Sequence, residues 1–122
     1  MEMKLFDSEL RIMNILWEKG DTTAKGLAEI LAEQIGWSKT TTYTVIKKCI
    51  DKGAASRIEP NFLCHALVTR QQTQERETDE LIDKMFGGRP EQLIASILWR
   101  KDLSPEVRES LKNLVNDLPE GN

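Results

Sequence analysis

Residues 36–53, GWSKTTTYTVIKKCIDKG, contain the pattern on which the predicted fold depends. Ser38 is the expected N-cap of a helix over residues 39–52, and Gly53 is the residue expected to end it. One side of this helix is largely apolar and is expected to pack inward: Thr42, Val45, Ile46, Cys49 and Ile50. The opposite side bears hydroxyl and amine groups: Lys39, Thr40, Tyr43, Thr44, Lys47 and Lys48. The pattern therefore predicts a helix with a buried side and a polar side that is available to a partner.

Two amphipathic segments precede this helix. Apolar residues recur at spacings of three and four within residues 7–19 and again within residues 23–35. Asp7 is the expected N-cap of the first segment, and either Thr22 or Thr23 is the expected N-cap of the second. The chain is therefore predicted to begin with three short helices joined by tight turns.

The hydrophobic period changes directly after the third predicted helix. Residues 54–59 and 62–67 are strand candidates, and Pro60-Asn61 between them is a turn candidate. Three helices followed by such a hairpin are typical of the winged helix-turn-helix. We therefore assign residues 1–70 to a winged-helix DNA-binding domain.

Residues 71–122 are predicted to form three further helices, over 71–86, 90–101 and from Pro105 onward. So few residues in three short helices cannot enclose all of their apolar side chains. A homodimer with two-fold symmetry would cover them and makes this segment a helical dimerisation domain; folding back onto the winged helix as a monomer is the alternative. The candidate dimerisation residues are Leu81, Ile82, Met85, Phe86, Leu93, Ile94, Ile97, Leu98, Leu111, Leu114, Val115 and Leu118.

The charge distribution is compatible with duplex DNA as a partner. The whole chain has a net charge of −3, but four lysines against one aspartate give residues 36–52 a net charge of +3. A local basic surface can bind phosphate despite an acidic total, because salt screens distant charges. Hydroxyl groups on the same helix can reach phosphates or base edges. The candidate DNA contacts are Ser38, Lys39, Thr40, Thr41, Tyr43, Thr44, Lys47, Lys48 and Arg57.

Each of these features also has a simpler interpretation. Lysines on a helix are usually a solvated surface, and Arg57 is nearly as well explained as an ordinary surface arginine. Trp37 is either a hydrophobic staple or a contact to the DNA backbone. Two alternative functions are a module that binds another protein and a regulator that senses a ligand or a metal. The ligands of such a metal would be Cys49, Cys64 and His65.

Other function classes find little support in the sequence. We identify no Gly-rich phosphate loop, nucleophile motif or acid–base pair, so we expect no enzymatic activity, no catalytic residues and no cofactor. There is no apolar run of about 20 residues and no signal sequence, and we expect a cytoplasmic protein without a membrane partner. The two cysteines, Cys49 and Cys64, are expected to be buried and reduced, and no metal site is predicted.

Three motifs in the first half of the chain form a pattern that is fairly specific: Asp7-x-Glu9-Leu10-x-Ile12-Met13-x-Ile15-Leu16-Trp17, Trp37-Ser38-x-x-Thr41-x-x-Thr44 and Lys52-Gly53. The pattern resembles the penicillinase repressor family, which includes the methicillin-resistance and copper-export repressors. The similarity continues more weakly through Phe86-Gly87-Gly88 and Leu103-Ser104.

This resemblance implies a dimeric winged-helix repressor that binds a palindromic operator, with a sensor protease or another inducer as a further partner. The bond that corresponds to the family's Asn-Phe cleavage site is Ser96-Ile97, and the C-terminal cysteine pairs of the copper-responsive members have no counterpart here. The inducing signal therefore does not follow from the resemblance. Neither does the operator sequence, because Thr40 and Tyr43 differ in type from the residues of the penicillinase repressors at these positions. Carried over by position, the family's DNA contacts fall on Thr40, Thr41, Tyr43, Thr44 and Lys48.

Overall fold

A computed structural model describes residues 3–121 and confirms a mainly helical winged helix-turn-helix followed by a helical segment. The described residues form two compact units, one up to residue 75 and one from residue 76. In chain order the elements are α1 (Asp7–Lys19), β1 (Thr22–Thr23), α2 (Ala24–Ile35), α3 (Lys39–Asp51), β2 (Ala55–Ile58), β3 (Leu63–Ala66), α4 (Arg70–Met85), α5 (Pro90–Leu98) and α6 (Pro105–Asn116).

The predicted hairpin forms, but its strands are shorter than expected. β2 and β3 are antiparallel, and Phe62 lies in the turn between them with a φ of 51° instead of in the second strand. The two-residue strand β1 was not predicted; it pairs with the other edge of β3 to give the order β1-β3-β2. A strand of two residues is too short to show an alternating pattern, so only its pairing partner defines it.

The helix N-termini explain where the first three helices begin. The prediction of Asp7 as N-cap was wrong: Phe6 occupies that position, and its N–H donates to Glu9 Oε1 at 2.7 Å. The Glu9 carboxylate in the first turn thus accepts a hydrogen bond from the backbone N–H of the N-cap residue, although Phe6 has no side-chain acceptor of its own. Thr23 caps α2 by accepting from Gly26 N at 3.0 Å, and Ser38 caps α3 by accepting from Thr41 N at 3.1 Å.

The predicted helix boundaries either match the structure, as both ends of α1 do, or differ from it by one to three residues. The largest difference is in α5, which ends at Leu98 rather than at residue 101. The N–H of Arg100 donates to the carbonyl of Ile97 at 3.2 Å, a tighter turn than the α-helical pattern. Gly87 and Gly88, with φ values of 60° and 77°, separate α4 from α5 as the sequence predicted.

The core of the first unit lies among α1, α2, α3 and the small sheet. Its largest fully buried apolar side chains are Ile12, Met13, Leu27, Leu31 and Ile46. Burial of a side chain of this size contributes about 1.5–3 kcal/mol, so these residues dominate the packing of α3 against α1 and α2. The core therefore fixes which side of α3 faces solvent.

Both cysteines are buried and reduced, as the sequence predicted. Burial, and after it the nearby Glu9 carboxylate, together raise the pKa of the Cys49 thiol to about 12. Burial also raises the pKa of the Cys64 thiol, to about 11. Both thiols are therefore protonated at neutral pH, whereas a thiol must lose its proton to act as a metal ligand.

We expect the free energy of unfolding to fall as the pH rises above 9.0, the ordinary pKa of these thiols. In the unfolded chain both thiols lose their protons near that pH, whereas in the folded chain Cys64 keeps its proton to about 11 and Cys49 to about 12. The folded state then binds more protons, so each thiol lowers stability by about 1.4 kcal/mol per pH unit within its interval. Urea unfolding below and above pH 9.0 measures this decline.

The control for this measurement is a chain with Cys49→Ala and Cys64→Ala. All other side chains are the same in both proteins, so only the difference between their two declines reports on the thiols. A decline of equal steepness in both proteins would show that the thiols do not contribute.

Candidate nucleic-acid interface

Helix α3 presents one side to the core and the other to solvent. Thr42, Val45, Ile46 and Cys49 are buried, and Ile50 is half-buried. The exposed residues at its start and on its opposite side are Ser38, Lys39, Thr40, Thr41, Thr44, Lys47 and Lys48. We name this exposed set, together with the half-buried Tyr43, the outer surface of α3.

Part of the outer surface forms a shallow depression. Its volume is about 440 Å³, and it is lined by Lys39, Thr40, Tyr43, Thr44 and Lys47. The groups that line the depression are two ammonium groups, two threonine hydroxyls and one phenol, all from the first three turns of α3. This combination of cations and hydroxyl groups matches the chemistry of phosphate oxygens and base edges.

The side chains of the outer surface differ in how far they are already engaged. The Ser38 hydroxyl caps α3 and donates to Thr41 Oγ1 at 3.0 Å, so its first role is structural. Lys47 forms an ion pair with Asp51 at 3.0 Å. The other five side chains of the outer surface form no hydrogen bond or ion pair within residues 3–121: Lys39, Thr40, Tyr43, Thr44 and Lys48.

The hairpin over residues 55–66, which we name the wing, contacts the outer surface through aromatic rings. Phe62, in the turn between β2 and β3, meets Tyr43 edge-on, with ring centroids 5.8 Å apart and planes at 87°. The Arg57 guanidinium lies 3.7 Å from the centroid of Phe62 and also forms an ion pair with Glu59. Lys39 Nζ lies 5.6 Å from the centroid of the Tyr43 ring. The sequence prediction included Arg57, Tyr43 and Lys39 but assigned no role to Phe62.

A buried ion pair holds the C-terminal end of α3 against the start of α1. Lys52 Nζ lies 2.6 Å from Glu9 Oε1, donates to the carbonyl of Lys4 at 2.6 Å and sits 4.2 Å above the ring of Phe6. The Glu9 side chain is only 2% exposed and the Lys52 side chain 27%. Sequence reasoning gave this pair no role, although Glu9 has helical spacing to the buried Ile12 and Met13.

The candidate dimerisation residues of the second unit fall into three groups. Ile82 is buried, and the half-buried residues are Phe86, Leu93, Ile97 and Leu111. The exposed ones are Leu81, Met85, Ile94, Leu98, Leu114, Val115 and Leu118. Trp99, which is 82% exposed, and Val107 are further large apolar residues at the surface of this unit.

The potential metal ligands named above do not converge. Cys64 and His65 are neighbours in β3, so their side chains point to opposite faces, and Cys64 is buried while His65 is exposed. His65 Nδ1 instead lies 2.7 Å from Asp21 Oδ1. The described part of the chain contains no group of three His, Cys, Asp or Glu side chains that could hold a metal ion.

None of the helices within residues 3–121 has both the length and the apolar character needed to cross a membrane.

Known repressors are similar to this chain over most of its length. The methicillin resistance regulatory protein MecI of Mammaliicoccus sciuri is 28% identical over 115 residues, which is 93% of this chain and 94% of that protein. The same protein from Staphylococcus aureus strain N315 gives the same values. The penicillinase repressor of Bacillus licheniformis is 19% identical over 116 residues, which is 93% of this chain and 91% of that protein.

The family described as penicillinase repressor matches residues 5–117, which cover both compact units. Repressors of this family act on transcription and are not enzymes, in agreement with the absence of a catalytic motif from the sequence. The chain belongs to the penicillinase repressor family and is a transcriptional repressor.

Proposed function

We propose that this repressor binds duplex DNA as a homodimer and that α3 is its recognition helix. The observation that supports this best is the outer surface of α3, where Thr40, Thr44 and Lys48 are exposed and have no partner among residues 3–121. A polar helix side held outward by a buried apolar side is what entry into the major groove requires.

Within this proposal the outer surface has two kinds of contact. The cations Lys39 and Lys48 bind phosphate oxygens, and Lys47 does so by exchanging Asp51 for a phosphate. Arg57, in β2 outside this surface, also binds phosphate. The hydroxyl groups lie in the first half of α3, and the start of a recognition helix is the end that approaches base edges. They belong to Thr40, Thr41, Tyr43 and Thr44. Ser38 contributes by fixing the first turn of the helix.

The apolar surface of the second unit supports the homodimer. Leu114 and Leu118 in and after α6 are 66% and 68% exposed, and Val115 beside them is 49% exposed. Contiguous exposed apolar side chains of this size mark interaction surfaces in proteins that are not membrane-bound. A two-fold dimer would cover this surface in both chains and would present two copies of α3 to a palindromic operator.

In this proposal residues 1–70 bind DNA and residues 71–122 form the dimer. The boundary of the two compact units at residues 75 and 76 supports a division in this part of the chain. A sensor protease or another inducer remains a proposed further partner, because a repressor requires a signal that releases it from DNA.

Fluorescence anisotropy with a duplex enriched from a random-sequence pool tests the DNA-binding proposal. We expect the affinity for duplex DNA to fall steeply as the salt concentration rises. Lys48→Ala should reduce the slope of log affinity against log salt concentration by about one unit for each chain in contact with DNA. Lys25→Ala, at an exposed lysine of α2, is the matched control. Failure to enrich any duplex, with no binding at low salt, would contradict the proposal.

Light scattering tests the homodimer. We expect twice the chain mass of 13.9 kDa, and the single mass for a chain with Leu114→Glu and Leu118→Glu, because buried carboxylates would oppose association. Asn113→Glu, on the opposite side of α6, should leave the dimer intact. A single-chain mass for the unsubstituted protein at micromolar concentration would rule out a stable dimer.

A further inference from the structure

The wing contains an arginine whose surroundings resemble an occupied anion site. The Arg57 guanidinium stacks on the Phe62 ring at 3.7 Å and forms an ion pair with Glu59, and all three residues are within the wing. Arg57 and Glu59 are about half exposed, with side-chain exposures of 49% and 55%. The guanidinium is thus oriented by a ring on one side and by a carboxylate at its edge, while water still reaches it.

Phe62 connects this arginine to the recognition helix. Its ring contacts Tyr43 edge-on, and Tyr43 lies in the depression on the outer surface of α3. The backbone of Phe62 has a φ of 51°, in the left-handed region that favours glycine. The chain therefore keeps an aromatic residue at a position where glycine would be less strained, and the ring contacts are what the aromatic residue provides.

We propose that Arg57 on the Phe62 ring is a phosphate site of the wing, with Phe62 as its positioning residue and Glu59 as the group that phosphate displaces. This inference rests on the proposed DNA-binding function. A phosphate oxygen pair matches the guanidinium as a carboxylate does, so the exchange preserves the geometry of Arg57. The contact between Phe62 and Tyr43 sets the spacing between the wing phosphate site and the outer surface of α3.

Glu59 then opposes DNA binding in two ways. Its carboxylate occupies Arg57, and its negative charge lies where a phosphate must approach. Glu59→Gln is therefore expected to tighten duplex binding about threefold, which is the scale of an exposed ion pair. Glu29→Gln, at an exposed position in α2, removes the same charge elsewhere and is the matched control.

A double-mutant cycle between Phe62 and Arg57 tests the positioning role. Phe62→Leu keeps an apolar side chain but removes the ring, and we expect it to weaken binding about threefold, the scale of a cation–π contact at an exposed site. In a chain that already has Arg57→Ala, the same change should have almost no effect. Phe62→Tyr keeps an aromatic ring and should bind with the affinity of the unsubstituted chain. Arg57→Ala should reduce the slope of log affinity against log salt concentration.

The outcomes separate this inference from the proposed function. The positioning role is overturned if Phe62→Leu changes duplex affinity equally in the unsubstituted chain and in the Arg57→Ala chain, or changes it in neither. The proposed DNA binding would stand in both cases. If Phe62→Leu prevents folding, Glu59→Gln decides: tightening that requires Arg57 supports the site, and tightening no greater than that of Glu29→Gln overturns it. No duplex binding by the unsubstituted chain would overturn both proposals.

Discussion

Replacing Thr40 and Thr44 together by glutamate is expected to weaken duplex binding by more than about 100-fold. Each substitution places a carboxylate on the outer surface of α3, and a homodimer would place four of them against DNA. Like charges brought together at an interface cost several kcal/mol, which corresponds to a loss of this size. Both positions are exposed, so the folded chain should tolerate the change.

The measurement is a duplex titration by fluorescence anisotropy at fixed salt, with thermal unfolding as a check on the fold. The matched control is a chain with Asn14→Glu and Gln74→Glu, which adds the same charge at exposed positions of α1 and α4. A loss of affinity similar to that of the control would show that net charge alone matters and would contradict a specific role for α3.

Glu9→Ala is expected to lower the free energy of unfolding by about 3 kcal/mol, the largest effect on stability that we expect from a polar residue. The Glu9 carboxylate is buried, accepts from Phe6 N and binds the Lys52 ammonium at 2.6 Å. Its removal leaves the N–H of Phe6 and the Lys52 ammonium without their acceptor and opens a cavity beside Ile12 and Met13. The partial exposure of Lys52 places the expected loss at the lower end for a buried ion pair.

Urea unfolding of this variant can be compared with two further substitutions. Glu9→Gln retains an acceptor for Phe6 N but loses the charge, so its loss should be smaller. Lys47→Ala breaks the ion pair with Asp51, in which both side chains are more than half exposed, and should change stability by less than about 0.5 kcal/mol. Equal losses for Glu9→Ala and Lys47→Ala would contradict the role of the buried pair.

The parts of the fold that could be predicted from the sequence depend on local patterns. Ser38 as a cap, Gly53 at the helix end and the spacing of Val45, Ile46 and Cys49 together define α3 and its inner side within eighteen residues of the chain. The outer surface follows from the inner side, so its exposure could also be predicted. Which of its side chains contact DNA remains a prediction.

The parts that could not be predicted depend on contacts between residues that are distant in the sequence. Glu9 and Lys52 are separated by 43 positions, and nothing near either residue indicates its partner. The stacking of Arg57 on Phe62 depends on the left-handed backbone of Phe62, which a sequence pattern assigns to a strand. Asp7 was preferred as a cap by residue type, whereas the buried carboxylate two positions later accepts from the N-cap amide.

The most direct test of the central claim is photocrosslinking from a benzoylphenylalanine placed at position 44, on the outer surface of α3, to a bound duplex. The same group at position 14, on the exposed side of α1, is the comparison. We expect a covalent protein–DNA adduct from position 44 and little or none from position 14. A chain that binds the duplex but gives its adduct from position 14, and none from position 44, would show that another surface contacts DNA.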